Sequence, residues 1–195
     1  PGCYRLITSM RMPNGDQHAA YRVFELKAGE AKEIYLETAK KELDELLEHI
    51  ELPKIRLEDL DGTDCTLNDL TKDGPILLAF LGTGEEPTEH VLNELIEIAE
   101  KWNAKDAAMA AVLRTKADLE NATFRKARAA IRNMSLYLDS ADDAPVIAEK
   151  MGIDAEKLPL LILVLPGNIG GRAYAGYNVG SVGLMLRLME EAAKA

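Results

Sequence analysis

The run Ile76–Leu81, ILLAFL, is the feature that most constrains the fold of this chain. It is apolar throughout and lies between two glycines, Gly74 and Gly82. A strand with one exposed face alternates apolar and polar residues, whereas a strand covered on both faces has a continuous apolar sequence. The run therefore predicts a central strand of a sheet that has helices on both faces.

The elements after this run alternate between apolar runs and helical patterns. Pro87–Trp102 places apolar side chains at helical spacing, and proline suits the first turn of a helix. Further strands are predicted at 55–57, 63–66, 107–113, 136–138, 160–165 and 172–175, and further helices at 118–131, 144–151 and 181–195. This order predicts a three-layer α/β/α fold around a mixed central sheet.

The order of elements from residue 52 to residue 195 resembles the extended thioredoxin fold of the thiol-reductase and peroxiredoxin-like branch. Two landmarks carry the resemblance: Ile76–Leu81 followed by a turn into a helix, and Leu158-Pro159 before a buried strand. In that family the strand ends in a W-C-x-x-C turn, and a cis-proline packs beside this turn. The resemblance therefore implies a cis peptide bond at Pro159.

The residues that carry thioredoxin chemistry are replaced in this chain. The two cysteine positions of the family motif fall on Glu85 and Thr88, and the preceding aromatic residue falls on Gly84. The polar strand residue that assists proton transfer in many thioredoxins falls on Ala79. Because thiol–disulfide exchange requires a thiolate, these departures from the family pattern predict a redox-inactive module with no catalytic residue at this place.

A binding surface is also implied by the resemblance. In the family, an extended polypeptide pairs with the backbone near the cis-proline, in the groove beside the redox turn. In this chain the corresponding groove residues are Gly84, Glu85, Glu86, Pro87 and Thr88 on one side, and Leu158 and Pro159 on the other. We therefore expect this chain to serve protein interaction or to support a neighbouring domain.

The acidic start of the helix leaves a second class of function open. Glu86 and His90 are i,i+4 neighbours on one helical face, and Glu85 directly precedes them, as in a metal site or an acid–base pair. However, the cluster matches no metalloprotease motif. Carboxylates at a helix N-terminus also gain about 0.3–1 kcal/mol each without any function. We therefore expect no metal and no other cofactor.

The two cysteines, Cys3 and Cys65, form neither a CxxC motif nor a metal knuckle. A redox activity through Cys65 alone is a further alternative, but we expect Asp61 and Asp64 to raise the pKa of its thiol and so reduce its reactivity. Sequence does not decide whether the two cysteines pair. So few cysteines favour a reducing, cytoplasmic compartment.

The first 37 residues have a different pattern. Their strand-like runs are separated by the turn-forming residues 13–16 and 28–30. The motifs P-G-x-Y-x-L-x-T, P-N-G and F-E-L-K-x-G-E in this segment resemble the last strands of a β-sandwich that follows a transglutaminase-like domain in large bacterial proteins. The resemblance implies that the chain is the C-terminal part of such a protein, whose catalytic part lies upstream.

Three short strands cannot close a sandwich, and a small isolated sheet is only marginally stable. The apolar side chains of Tyr4, Leu6, Tyr21, Val23 and Phe24 are too many for so small a sheet to bury. We therefore expect them to rest on the thioredoxin-like domain or on a second copy of the chain, which would form a homodimer through the N-terminal strands.

Residues 38–49 place Leu43, Leu46 and Leu47 on one helical stripe, which predicts an amphipathic linker helix that ends before Pro53. The predicted division is thus a β segment at 1–37, a linker helix at 38–51 and a thioredoxin-like domain at 52–195.

The overall charge narrows the choice of partners. The formal net charge is −10, so the chain repels a nucleic-acid backbone, and the basic residues form no concentrated stripe. No apolar run approaches the about 18 residues of a membrane span. The expected partner is therefore a polypeptide, either separate or the upstream domain of the same protein.

Overall fold

The computed structural model describes residues 2–11, 17–34, 39–40, 43–139, 141–154 and 158–194. In chain order they form β1 (Gly2–Arg11), β2 (Gln17–Leu26), β3 (Ala39–Lys40), β4 (Ile50–Glu51), β5 (Arg56–Asp59), β6 (Asp64–Thr66), α1 (Leu67–Leu70), β7 (Ile76–Leu81), α2 (Glu86–Glu97), α3 (Ala99–Ala104), β8 (Ala108–Leu113), α4 (Ala122–Ala130), β9 (Met134–Leu138), α5 (Ala144–Lys150), β10 (Leu160–Leu165), β11 (Ile169–Ala175) and α6 (Ser181–Ala192). Two 3₁₀ turns, Asp44–Leu46 and Lys116–Glu120, complete the described elements.

The large sheet is mixed, with the strand order β4-β11-β10-β7-β8-β9-β5-β6. Strands β7, β8 and β9 run parallel, and the other neighbours are antiparallel. Every residue of β7 and of β10 is buried. The continuous apolar runs therefore do form central strands, and the predicted α/β architecture is confirmed.

Each face of the sheet is covered by its own apolar layer. Leu77, Ala79 and Leu81 of β7 pack with side chains of α2, α4 and α6. Leu78 and Phe80, which point to the opposite face, pack with side chains of α1 and α5. Alternate residues of one strand thus belong to two different layers, which is why this strand lacks polar positions.

The linker helix predicted over 38–49 is not formed in the described part of that segment. Ala39–Lys40 pairs with β2, Asp44–Leu46 is a 3₁₀ turn, and Ile50–Glu51 pairs with β11 as an edge strand. The leucine stripe still packs inward, because Leu46 is buried in the core and Leu43 and Leu47 pack against it.

The tertiary partners of this segment explain the difference. The backbone N–H of Glu48 donates to the carbonyl of Gly171 at 2.6 Å, and the guanidinium of Arg172 donates to the Glu48 carboxylate at 3.0 Å. The Asn168 side chain donates to the Leu52 carbonyl at 2.6 Å. Helix propensity is a weak preference that such contacts override.

The N-terminal strands form a separate small antiparallel sheet with the order β1-β2-β3. Residues 31–34, part of the predicted third strand, carry no strand, and 35–37 lie outside the described residues. Tyr4 stacks on Phe24, with 5.9 Å between ring centroids. Tyr4, Leu6 and Val23 nevertheless remain 46%, 41% and 52% exposed, and the side chain of Tyr21 lies outside the description.

Among the described residues, no helix has both the length and the apolar character that crossing a bilayer requires.

Candidate functional site

The turn between β7 and α2 is stabilised on its buried side by Thr88. Gly84 has a φ of +86°, which glycine adopts without strain. Thr88 is fully buried, and its hydroxyl accepts a hydrogen bond from the backbone N–H of Gly82 at 3.2 Å. Thr88 therefore supports the turn from inside and does not line the groove, in contrast to the binding role implied for it.

The turn is also tied to the loop that follows β8. One Oε atom of Glu85 lies 3.1 Å from the guanidinium of Arg114. The hydroxyl of Thr83 donates to the carboxylate of Asp118, which in turn accepts the backbone N–H of Thr115 at 2.7 Å. These two polar contacts connect the ends of two neighbouring parallel strands.

The Glu85 side chain folds back over Gly82, three residues earlier in the chain. A Cβ atom at Gly82 would lie 2.6 Å from the Cδ atom of Glu85. Gly82 therefore leaves the space that lets the carboxylate reach Arg114.

Leu158 and Pro159 lie opposite this turn. Their peptide bond is cis, and both residues are buried. The carbonyl of Pro159 accepts the backbone N–H of Gly176 at 2.9 Å. A cavity of about 450 Å³ is lined by Glu85, Pro87, Leu158 and residues 175–178. The structure thus brings the turn and the Leu158 segment to one groove.

The three glutamates of the helix start diverge. The carboxylate of Glu85 pairs with Arg114, that of Glu86 lies 3.6 Å from Nε2 of His90, and that of Glu89 accepts the side-chain amide of Asn121 at 3.0 Å. Within the described residues, no three His, Cys, Asp or Glu side chains come together as metal ligands. The geometry therefore does not favour the alternative site at Glu85, Glu86 and His90.

His90 has a second contact besides Glu86. Its ring stacks on the ring of Tyr177, with 4.9 Å between centroids and 22° between planes. This contact connects the outer face of α2 to the segment that lines the groove.

A second cavity lies on the other side of Leu158. Its volume is about 150 Å³, and its lining includes Phe80, Arg114, Asp139, Asp142 and Leu158. Leu158 lines both cavities, and the paired side chains Glu85 and Arg114 each line one of them.

Sequence reasoning missed the residues on this side of the groove. Arg114, Asp139 and Asp142 follow β8 and β9, and the carboxyl ends of parallel strands meet at one edge of a sheet. Ligands of open α/β sheets commonly bind outside those ends. The polar residues directly after β8 and β9, Arg114 and Asp139, were therefore the available signal.

The loop before α5 carries concentrated negative charge. One Oδ atom of Asp139 accepts the backbone N–H of Asp143 at 2.7 Å, and the other accepts that of Ala144 at 3.4 Å. Burial raises the pKa of the Asp143 carboxyl, and the charges of Asp139 and Asp142 raise it further. Three carboxyl groups thus lie close together at this corner.

Cys65 lies away from the groove. It is in the edge strand β6, paired with Leu57, and lines a different cavity together with Asp69 and Lys72. Both cysteines are free.

The thiol of Cys65 is poorly placed for reactivity. Burial raises its pKa, a hydrogen bond with the Tyr137 hydroxyl at 4.0 Å lowers it, and the carboxylates of Asp69 and Asp59 raise it again. The net shift is upward, as the sequence predicts. However, burial is the main cause, and the acids responsible are Asp69 and Asp59 rather than Asp61 and Asp64.

Comparison with known proteins bears on the fold. No protein-family model and no curated protein matches the chain. Among solved structures, it is similar to thio-disulfide isomerase from Thermus thermophilus, with a TM-score of 0.51 at 17% identity, covering 74% of this chain and 95% of that one. The fold is thioredoxin-like.

Two further structures agree. Peroxidoxin BcpB from Mycobacterium tuberculosis gives a TM-score of 0.52 at 13% identity, over 73% of this chain and 96% of that one. BsSco, a member of the Sco family of cytochrome c oxidase assembly proteins, gives 0.53 at 13% identity, over 75% and 95%. At these identities the similarity establishes the thioredoxin-like fold alone.

Proposed function

We propose that this chain is a redox-inactive thioredoxin-like module that binds an extended polypeptide in the groove between the β7–α2 turn and Leu158. The observation that carries the proposal is the cavity of about 450 Å³ that Glu85 and Pro87 share with Leu158. No cysteine lies in this turn, whose residues 82–88 read GTGEEPT.

The contacts of the turn support binding rather than chemistry. At the first motif position, the Glu85 carboxylate is paired with Arg114. At the second, the Thr88 hydroxyl is buried on the Gly82 N–H. Neither group supplies the thiolate that exchange requires. The raised pKa of Cys65 argues against a single-thiol activity at the other end of the sheet.

The composition of the groove suits a polypeptide. Pro87, Leu158 and Tyr177 supply apolar surface, while Glu85 and Asn178 supply hydrogen-bonding groups at its margin. Apolar walls with a few polar groups that fix orientation are typical of binding clefts.

We further propose that the module is the C-terminal part of a larger, transglutaminase-like bacterial protein, in which it presents a substrate or supports the upstream domain. The exposed Tyr4, Leu6 and Val23 of the small sheet support this context, because apolar side chains on a small sheet require a covering surface. The reading frame upstream tests it: a transglutaminase-like Cys-His-Asp triad is expected, and an unrelated upstream sequence would refute the context.

Binding is tested by NMR on the ¹⁵N-labelled chain. The probes are acetylated, amidated pentapeptides Thr-Val-Xaa-Val-Thr, with lysine or norleucine as Xaa, which favour an extended backbone. We expect shifts of the amides of Glu85, Leu158, Gly176 and Tyr177 with at least one probe.

The matched variants are Asn178→Trp and Val179→Trp. Asn178 lines the groove cavity, whereas the neighbouring Val179 is 77% exposed and lines a different cavity. We expect Asn178→Trp to weaken binding at least about tenfold, or about 1.4 kcal/mol, and Val179→Trp to leave it unchanged. The absence of groove shifts with either probe, or equal effects of the two variants, would refute the proposal.

A further inference from the structure

We infer that the small cavity beside Leu158 is a pocket for a lysine or arginine side chain, so that the groove selects basic polypeptide segments. This inference rests on the proposed function and adds the chemistry of the partner. It follows from the volume of the cavity, its lining and the balance of charge around it.

The size and walls of the cavity suit a long aliphatic stem. Its volume of about 150 Å³ is roughly ten times the 10–15 Å³ that one water molecule requires. Phe80, Val112, Pro145 and Leu158 form apolar walls. Lysine and arginine bury their methylene stems along such surfaces while the charged group reaches polar partners.

The polar groups of the cavity favour a cation over an anion. Its lining contains two carboxylates, Asp139 and Asp142, and one cation, Arg114. The guanidinium of Arg114 is already paired with Glu85 at 3.1 Å, so its charge is compensated. The remaining net charge of the lining is negative.

The carboxyl of the adjacent Asp143 is also affected by the two charges of this lining. Its Oδ2 atom is buried and has no hydrogen-bond partner among the described residues. Burial is the main cause of the raised pKa of its carboxyl, the negative charges of Asp139 and Asp142 add to it, and a backbone hydrogen bond from Arg56 opposes it. A cation in the pocket would reduce this repulsion.

Leu158 connects the pocket to the groove. Because this side chain lines both cavities, a segment that lies over Leu158 places one side chain in the pocket. An acidic segment would instead bring its charge to Asp139 and Asp142. Selection by the pocket therefore combines attraction of a basic side chain with rejection of an acidic one.

The test compares three pentapeptides Thr-Val-Xaa-Val-Thr with lysine, norleucine or glutamate as Xaa. Norleucine has an unbranched aliphatic side chain without the charge. We expect the lysine peptide to bind about five- to tenfold more tightly than the norleucine peptide, and the glutamate peptide to bind most weakly.

The variant Asp142→Asn removes one pocket charge. Asp142 has a φ of +56°, a conformation that asparagine tolerates, so the variant is expected to keep the fold. The preference for lysine over norleucine should fall to about twofold or less. Glu149→Gln, which makes the same charge change at an exposed position of α5, should keep the full preference.

The outcomes separate the two proposals. If the lysine and norleucine peptides bind equally, or if Asp142→Asn keeps the preference, the basic pocket is refuted and the binding groove stands. Tightest binding of the glutamate peptide also refutes the pocket. If none of the peptides shifts the groove amides, both the pocket and the proposed function fail.

Discussion

The β7–α2 turn and strand β6 each lack a different part of what thiol chemistry requires. The turn lies at the N-terminus of a twelve-residue helix, beside Arg114, but has Glu85 where the family has its first cysteine. Strand β6 has the thiol of Cys65, but burial and two carboxylates raise its pKa. The positive groups that would stabilise a thiolate lie at the turn, whereas the thiol lies in β6. We therefore do not infer the family's activity from the resemblance of fold.

The largest effect is expected when a thiol is moved into the turn. In Glu85→Cys, the helix N-terminus and the Arg114 guanidinium should lower the pKa of the new thiol. We expect it to react with iodoacetamide at pH 7 about 100-fold faster than Cys65, because its thiolate fraction is larger.

Mass spectrometry of the alkylated peptides measures both rates in one sample. Cys65 of the same variant chain is the reference, and its rate should continue to rise above pH 9.0, the ordinary pKa of a thiol, since its own pKa is raised. Equal rates for the two thiols at pH 7 would show that the turn does not lower the pKa of a thiol, and would contradict this difference between the turn and β6.

The next effect concerns stability at the second cysteine position. In Thr88→Val the shape is kept, but the buried N–H of Gly82 loses its acceptor. Leaving such a group unsatisfied costs about 1–3 kcal/mol. We expect the free energy of unfolding in urea to fall by about 2 kcal/mol.

Thr71→Val is the matched control. Thr71 is also buried, but its hydroxyl donates to the Leu67 carbonyl, which already accepts the backbone N–H of Thr71. Its loss should cost less than about 1 kcal/mol. If both variants lose the same amount, the hydroxyl of Thr88 is not what holds the turn.

A smaller effect is expected at the strand. The Tyr137 hydroxyl lowers the pKa of Cys65 through their hydrogen bond, so Tyr137→Phe should raise that pKa further. Loss of a neutral hydrogen bond of about 0.5–1 kcal/mol should slow alkylation of Cys65 at pH 8 roughly two- to fivefold. Faster alkylation in the folded variant would contradict the role given to this hydroxyl.

The sequence allowed most of the fold to be predicted, because each central strand is continuously apolar. Ile76–Leu81 and Leu160–Leu165 are covered on both faces, and their continuous apolar sequence indicates this. The helix prediction for the segment around Leu46 was wrong for a physical reason. Its leucine stripe suits a helix, but pairing with β11 and the Glu48–Arg172 contact hold it in another conformation.

The candidate site was predictable only in part. Glu85, Pro87 and Leu158 were found because a family motif marks them, and the structure places them around one cavity. Arg114 and Asp142 were not found, because their position at the groove follows from the order of the strands in the sheet. No local sequence pattern indicates that Thr88 is buried with its hydroxyl on the Gly82 N–H.

The reduction of insulin disulfides in a dithiothreitol-coupled assay tests the central claim of redox inactivity most directly. The unmodified chain should give no turnover above a blank without protein, because neither Glu85 nor Thr88 supplies a thiolate. The variant with both Glu85→Cys and Thr88→Cys should regain the thiols yet remain poorly active, since Gly84 and Ala79 supply neither the aromatic residue nor the proton relay. Turnover by the unmodified chain that disappears in Cys65→Ser would contradict the account and place the chemistry at Cys65.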